Sequence, residues 1–212
     1  MVELLFLMAI YASPTTLCFP PLKNLNTIVE KREDANYEDV SGKSLNGVGA
    51  VSWQLPVEGT YKVNSDAAID KDRQAVGIGL VIRDHQGMVL MATSTQCIHA
   101  RYGPLVAKAA AILRGVILAI ETGLTPFVVE TDALGVANLV KAGFAPSADI
   151  GLIIEGILFR LWNFGGETVV YVFRNANFVA DTLSKMALGP PVDYFWRITL
   201  RVERFIPYEY PV

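Results

Sequence analysis

Residues 61–69, YKVNSDAAI, alternate as a strand does, with Val63 and Ser65 on one side and Asn64 and Asp66 on the other. An aspartate in the middle of such a segment restricts what can be built around it, because a buried carboxylate is costly unless it meets a hydrogen-bonding partner or a cation. Two further acids occupy comparable places. Asp132 follows the apolar run 127–129 and the pair Glu130-Thr131, and Asp181 stands three residues before Ser184 in NFVADTLSKMA. Three carboxylates so placed in one domain point to a shared site.

Residues 76–83 and 88–95 are two more strand-length segments, joined by the turn-forming sequence Asp84-His85-Gln86-Gly87. Three antiparallel strands in succession are expected. Pro104 then opens a helix that runs to about residue 122 and is closed by Gly123. At roughly 100° per residue, Leu105, Lys108, Ala109, Ile112, Val116 and Ala119 share one arc, with Arg114 and Glu121 opposite. Lys108 is the single charge on the arc turned to the sheet, which is anomalous because lysine is rarely buried unpaired. A buried strand over 126–132, a short helix over 133–142 ended by Gly143, a helix over 149–163, a strand over 168–173 and a last helix over 177–188 complete the pattern. This order describes an α/β domain with a mixed sheet. The carboxyl ends of its parallel strands, Asp132 among them, lie where open α/β sheets place their sites.

A chain of 212 residues suits one domain plus an extension, and 52% hydrophobic against 18% charged residues excludes a disordered polar chain. No apolar run reaches the roughly 18 to 20 residues of a membrane-spanning helix. The formal net charge of -3 gives nucleic acid no long-range attraction, so any such binding has to come from a local patch or through metal ions. Cys18 and Cys97 form neither a disulfide framework nor a zinc-ligand spacing, which fits a reducing, intracellular compartment, nucleus or cytoplasm.

Residues 4–12, LLFLMAIYA, resemble the apolar core of a signal peptide, but the stretch is short, follows Glu3 and lacks opening basic residues. Pro14, Pro20 and Pro21 interrupt any helix, and residues 30–39 are charge-rich. Residues 1–50 are therefore expected to be a poorly ordered extension and 53–188 the domain. Residues 189–212, with Phe195, Trp196 and Phe205, are expected to be a tail that packs on the domain or hangs free. A monomer is expected.

The segments KVNSDAA, IGLVIRDHQGMVL, PLVAKAAAILRGVILAIETG, VVETDALGVANLV and VFRNANFVADTLSKMA, in this order and spacing, resemble the plant ribonuclease H-like family, which is related to the ribonuclease H domains of reverse transcriptases. The resemblance spans about 53–188. It implies a five-stranded mixed sheet, three antiparallel strands followed by two parallel ones, flanked by helices, and nucleic acid as the ligand. In that family four acids bind two divalent cations, Mg²⁺ or Mn²⁺, which set a water against the scissile phosphate of the RNA strand in an RNA–DNA hybrid. Hard cations take oxygen ligands, and a pair of them stabilises both the attacking and the leaving oxygen. By resemblance Asp66 bridges the metals, and Asp132 and Asp181 are further catalytic ligands.

The fourth family ligand is a glutamate within a pattern like Ala-Glu-Ala, and the corresponding residues here are Ala107-Lys108-Ala109. The position where helical periodicity leaves an unexplained charge is thus the position where the resemblance expects a carboxylate. An ammonium there opposes a cation by about 4 kcal/mol per unit-charge pair at an effective dielectric of 20, doubled for a dication. The expectation is that Lys108 sits among Asp66, Asp132 and Asp181 and partly replaces a metal ion, so that endonuclease activity is weakened or lost. The alternative is a non-catalytic module that binds a hybrid, structured RNA or a partner protein. Several ribonucleases H also carry a histidine about ten residues before the last aspartate. That place falls near Tyr171, in a segment without histidine.

Other readings of these residues stay open at this level. Asp66 can pair near a strand end, Asp132 can cap the following helix, Asp181 can be a solvated helix acid, and Glu130 can supply a substitute carboxylate. Asn64, Arg174, Asn175 and Asn177 are candidates for phosphate or sugar contacts, although Asn177 can equally cap the last helix. Trp53 reads as packing, Leu158, Phe159 and Trp162 as core, and His85 and His99 as surface residues.

Overall fold

The sheet is assembled around the strand that carries Asp66. The structure is a computed structural model and describes residues 17–18, 52–98, 103–145, 147–189 and 193–197. Its strands are β1 (Leu17–Cys18), β2 (Tyr61–Asp70), β3 (Ala75–Arg83), β4 (Val89–Ile98), β5 (Phe127–Thr131), β6 (Gly166–Tyr171) and β7 (Asp193–Arg197). Its helices are α1 (Pro104–Glu121), α2 (Leu134–Ala142), α3 (Ala148–Asn163) and α4 (Phe178–Ala187). The strand order is β1-β7-β4-β3-β2-β5-β6. Strands β2, β3 and β4 are antiparallel neighbours, while β5 runs parallel to β2 and β6 parallel to β5. These five form the mixed sheet expected from the sequence.

The sheet continues past the expected frame. Strand β7 pairs antiparallel with β4, and β1 pairs parallel with β7. Part of the tail and two residues of the amino-terminal extension therefore belong to the sheet, and Phe195 packs on the main core. Expectations for the rest of residues 1–50, for His99 and for Phe205 fall outside the described residues. Among the described residues no helix is long and apolar enough to cross a membrane.

Every residue of β3 is buried, because helices cover both faces of the sheet at that point. On one face lies α1, and α3 lies across it, so α1 is buried well beyond the predicted arc: Leu113 and Ile117 are buried along with Ile112 and Val116. Leu105, placed in that arc by periodicity, instead stands 42% exposed in the first turn. The inner face of α3 consists of Ile150, Ile153, Ile154, Ile157 and Leu161. Leu158 is partly buried against this core, but Phe159 and Trp162, expected within it, are 58% and 78% exposed. They lie opposite the isoleucine face, which has already taken the contact with the domain.

On the other face, α4 rests directly on β3. A Cβ added at Gly79 would meet the Ala180 carbonyl oxygen at 2.2 Å, and one at Gly77 the Ser184 oxygen at 2.1 Å. Only glycine permits that approach. Gly79 is the cross-strand partner of Asp66, so both residues face α4, whose first turn carries Asp181.

Candidate functional site

Strand β5 pairs with β2 only as far as Asn64↔Glu130, and β2 runs on beyond it with Asp66 facing the opening. Lys108 reaches this opening from α1. Its Nζ lies 2.8 Å from Asp66 Oδ1 and 2.5 Å from Asp132 Oδ1. Asp66 is 3% exposed, and its Oδ1 has no well-directed hydrogen bond, so the contact with Lys108 is ionic. Asp132 is not a helix cap. The N–H of Ala133, at the start of α2, is bonded to Thr131 Oγ1 instead.

The electrostatics of the trio follow from one cation shared by two acids. Burial raises the pKa of Asp66, the Asp132 charge adds to this, and its share of the ammonium does not fully offset them. For Lys108 burial alone would lower the value. The hydrogen bond to Asp132, the close ion pair with Asp66 and the charges of both outweigh it and hold the ammonium above the usual lysine range. Lys108 is therefore a permanent cation at neutral pH.

The third acid is arranged differently from the expectation. Asp181 is buried, but its oxygens are bound by Arg174 Nη2 at 2.8 Å and Lys185 Nζ at 2.6 Å rather than by Lys108. The reason is local: α4 supplies its own lysine one turn on, and the preceding turn supplies the arginine. Burial opposes ionisation of Asp181, and the bonds to Lys185 and Arg174 outweigh it, leaving its pKa below the ordinary value. Three carboxylates are thus matched by three cations.

Glu130 is the centre of a second, buried network that sequence reasoning missed. Its carboxylate pairs with Lys62 Nζ at 2.7 Å and accepts from Trp53 Nε1 and Asn64 Nδ2, each at 2.8 Å. Asn64 also donates to Asn177 Oδ1 at 3.2 Å, and Asn177 Nδ2 donates to the Ser65 carbonyl at 2.9 Å. Arg83 lies 3.9 Å over the Trp53 ring, and burial pushes its pKa down to about 10 against the opposing charge of Glu130. Asn64 and Asn177 are 0% exposed, which corrects their assignment as nucleic-acid contacts: as placed they tie β2 to α4. Nor does the Asn177 side chain cap α4, and Glu130, fully engaged, is no substitute ligand. The signal available in the sequence was a glutamate inside an apolar run, but its partners depend on the register of β2 against β5.

Of the four candidates for phosphate or sugar contacts, Arg174, largely exposed beside Asp181, and Asn175 face solvent. Tyr171, where the resemblance places a histidine, and Phe173 are exposed, with ring centroids 5.8 Å apart in an edge-on arrangement. His85 is half-exposed in the turn after β3.

The reverse transcriptase-like family matches residues 64–187, more than half of the sequence. This chain belongs to the reverse transcriptase-like family. The match contains Asp66, Lys108, Asp132 and Asp181. This member of the family is similar in structure to ribonuclease H1 from Halobacterium salinarum, with 18% identity, 61% of this chain and 97% of that one covered, and a TM-score of 0.56. It is also similar to the N-terminal RNase H domain of a Mycobacterium tuberculosis protein, with 19% identity, coverage of 61% and 93%, and a TM-score of 0.55. LC11-RNase H1, solved in complex with an RNA/DNA hybrid, matches with 18% identity, coverage of 60% and 96%, and a TM-score of 0.54. At such identities the likeness is one of fold. None of the curated proteins matches the chain.

The two-cation site implied by the resemblance does not fit the residues present. Among the described residues no three His, Cys, Asp or Glu side chains are grouped so that they could hold a metal ion. Asp66 and Asp132 face the Lys108 ammonium, and Asp181 is held by two cations of its own.

Proposed function

We propose that this reverse transcriptase-like domain is a nucleic-acid-binding module in which Lys108 replaces a divalent cation and metal-dependent cleavage of RNA–DNA hybrids is lost or greatly reduced. The fold is shared with ribonucleases H, one of which was solved with an RNA/DNA hybrid, and this supports nucleic acid as the ligand class. The observation that carries the reading is the placement of Lys108 Nζ within 2.8 Å of both Asp66 and Asp132. An ammonium there supplies the positive charge the two carboxylates need. Unlike a metal ion, it has no open coordination position for a phosphate oxygen or a water. Retained endonuclease activity is the less favoured reading, because it requires displacing a cation bound by two charge-assisted contacts.

The test uses an RNA–DNA hybrid labelled on the RNA strand, with Mg²⁺ or Mn²⁺. The wild-type protein is expected to bind it without cutting. Lys108→Glu, which completes the acidic set, is expected to gain metal-dependent cleavage. Wild-type turnover equal to or above that of Lys108→Glu would overturn the reading.

A further inference from the structure

Tyr171 ends β6 paired with Thr131, so its backbone stands beside the residue that precedes Asp132. The Val172 N–H binds the Thr131 carbonyl at 2.9 Å and continues that alignment one residue further. Phe173 follows, then Arg174, which is bonded to Asp181. The segment 171–174 thus bridges the rim of the site from one acid to another. Its two rings are 39% and 54% exposed, although they stack edge-on against each other.

Two apolar rings at the rim of a polar site call for a ligand that offers flat apolar surface. A duplex hides its base faces inside its own stack and presents phosphates, and affinity for phosphates comes from cations that release counterions. Lys108, Arg174 and Lys185 are each paired with a carboxylate, and the chain carries a formal charge of -3. Electrostatic attraction for a duplex is therefore small at this face. Unpaired bases, in contrast, stack on aromatic side chains whatever their sequence, and the largely exposed Arg174 guanidinium, next in sequence to Phe173, offers a further flat surface to a base.

We infer that Tyr171 and Phe173 form a base-stacking platform and that the preferred ligand of this site is single-stranded nucleic acid rather than a hybrid duplex. This rests on the nucleic-acid reading above and narrows it to a substrate class.

The experiment is fluorescence anisotropy on the full chain, with a labelled oligothymidylate of about 12 nucleotides, within the usual site size for such platforms, and the same strand paired with oligoriboadenylate. The single strand is expected to bind about tenfold more tightly than the hybrid. Tyr171→Leu/Phe173→Leu keeps apolar bulk but removes the ring faces, and is expected to weaken single-strand binding by about tenfold or more, one to two stacked bases' worth. Tyr171→Trp is expected to retain it, and Phe159→Ala/Trp162→Ala, on the outer face of α3, to leave it unchanged. Melting temperatures of all variants establish that each is folded. Tighter binding of the hybrid, or wild-type affinity in the leucine pair, would overturn the stacking platform while leaving the nucleic-acid reading in place. Failure to bind either form would overturn both.

Discussion

Lys108 and Asp66 meet at 2.8 Å although they come from opposite faces of the sheet. Asp66 shares its face with its cross-strand partner Gly79, which lies under α4, whereas α1 packs on the face of Val63, Ser65 and Leu80. They meet because β5 stops pairing at Glu130 while β2 continues, leaving an opening at the sheet end through which a long side chain can pass. A glutamate in α1 would be shorter than lysine by one rotatable bond and opposite in sign. The lysine offsets one of the two carboxylate charges it meets, and with Arg174 and Lys185 it brings the three acids into balance.

Removing that charge should be expensive. Lys108→Met leaves Asp66 and Asp132 near each other without a cation, and breaking a buried pair costs about 3–5 kcal/mol. The Lys108 side chain is 24% exposed, which sets the expectation at the lower end, near 3 kcal/mol. Urea unfolding at pH 7 measures it. A loss under about 0.5 kcal/mol, as for an ordinary surface pair, would contradict the buried ion pair.

Stability should depend on pH in three distinguishable ways. Asp66 has a folded pKa above its ordinary 3.8, so between the two values the folded state holds a proton that the unfolded state has lost, and its contribution falls as pH rises through that window. Asp181 is lowered, so its contribution is present above 3.8 and is lost as pH falls through its folded value. Lys108 is raised above 10.5, so its contribution is complete below that pH and is lost as pH rises through its folded value. Unfolding free energies across pH should therefore show a weaker acid loss in Asp181→Asn and no corresponding alkaline loss in Lys108→Met.

The network at Glu130 should matter more for stability than for binding. Glu130→Ala leaves Lys62, Trp53 and Asn64 without their shared acceptor, at about 3–5 kcal/mol. Glu130→Gln keeps a hydrogen-bonding side chain of the same shape and should cost about 1–2 kcal/mol. Urea denaturation followed by circular dichroism separates the two. Equal losses would show that the charge, not the shape, is what the site requires.

Two glycines should respond to alanine with opposite signs. At Gly79 a methyl group meets the backbone of α4 at 2.2 and 2.3 Å, so Gly79→Ala should force the helix off the strand and cost at least about 1–3 kcal/mol. At Gly151, within α3, the added methyl meets open space, and Gly151→Ala should stabilise by about 0.5–1 kcal/mol. Thermal unfolding of both variants checks the pair.

Much of this arrangement was readable from residue order. Helical spacing singled out Lys108 as a charge turned inward, and the alternation in YKVNSDAAI placed Asp66 opposite Val63 and Ser65, as the register confirms. What escaped depends on relations between elements. Asn64 and Asn177 look like available polar groups until α4 is seated on β2 and β3. The partners of Asp181 depend on the turn that aims Arg174, although Lys185 one turn along the same helix was a visible clue. Phe159 and Trp162 lie on a helix with apolar residues all round, and periodicity alone does not say which side meets the domain.

The central claim is that Lys108 supplies, from within the chain, the positive charge that a metal ion would otherwise bring to Asp66 and Asp132. Calorimetric titration of Mg²⁺ into the wild-type protein and into Lys108→Glu tests it directly, with thermal unfolding in the same buffers as a second readout. The account predicts no Mg²⁺ binding and no rise in melting temperature for the wild type, and both for Lys108→Glu. Wild-type binding as tight as that of Lys108→Glu, with the same thermal shift, would contradict it.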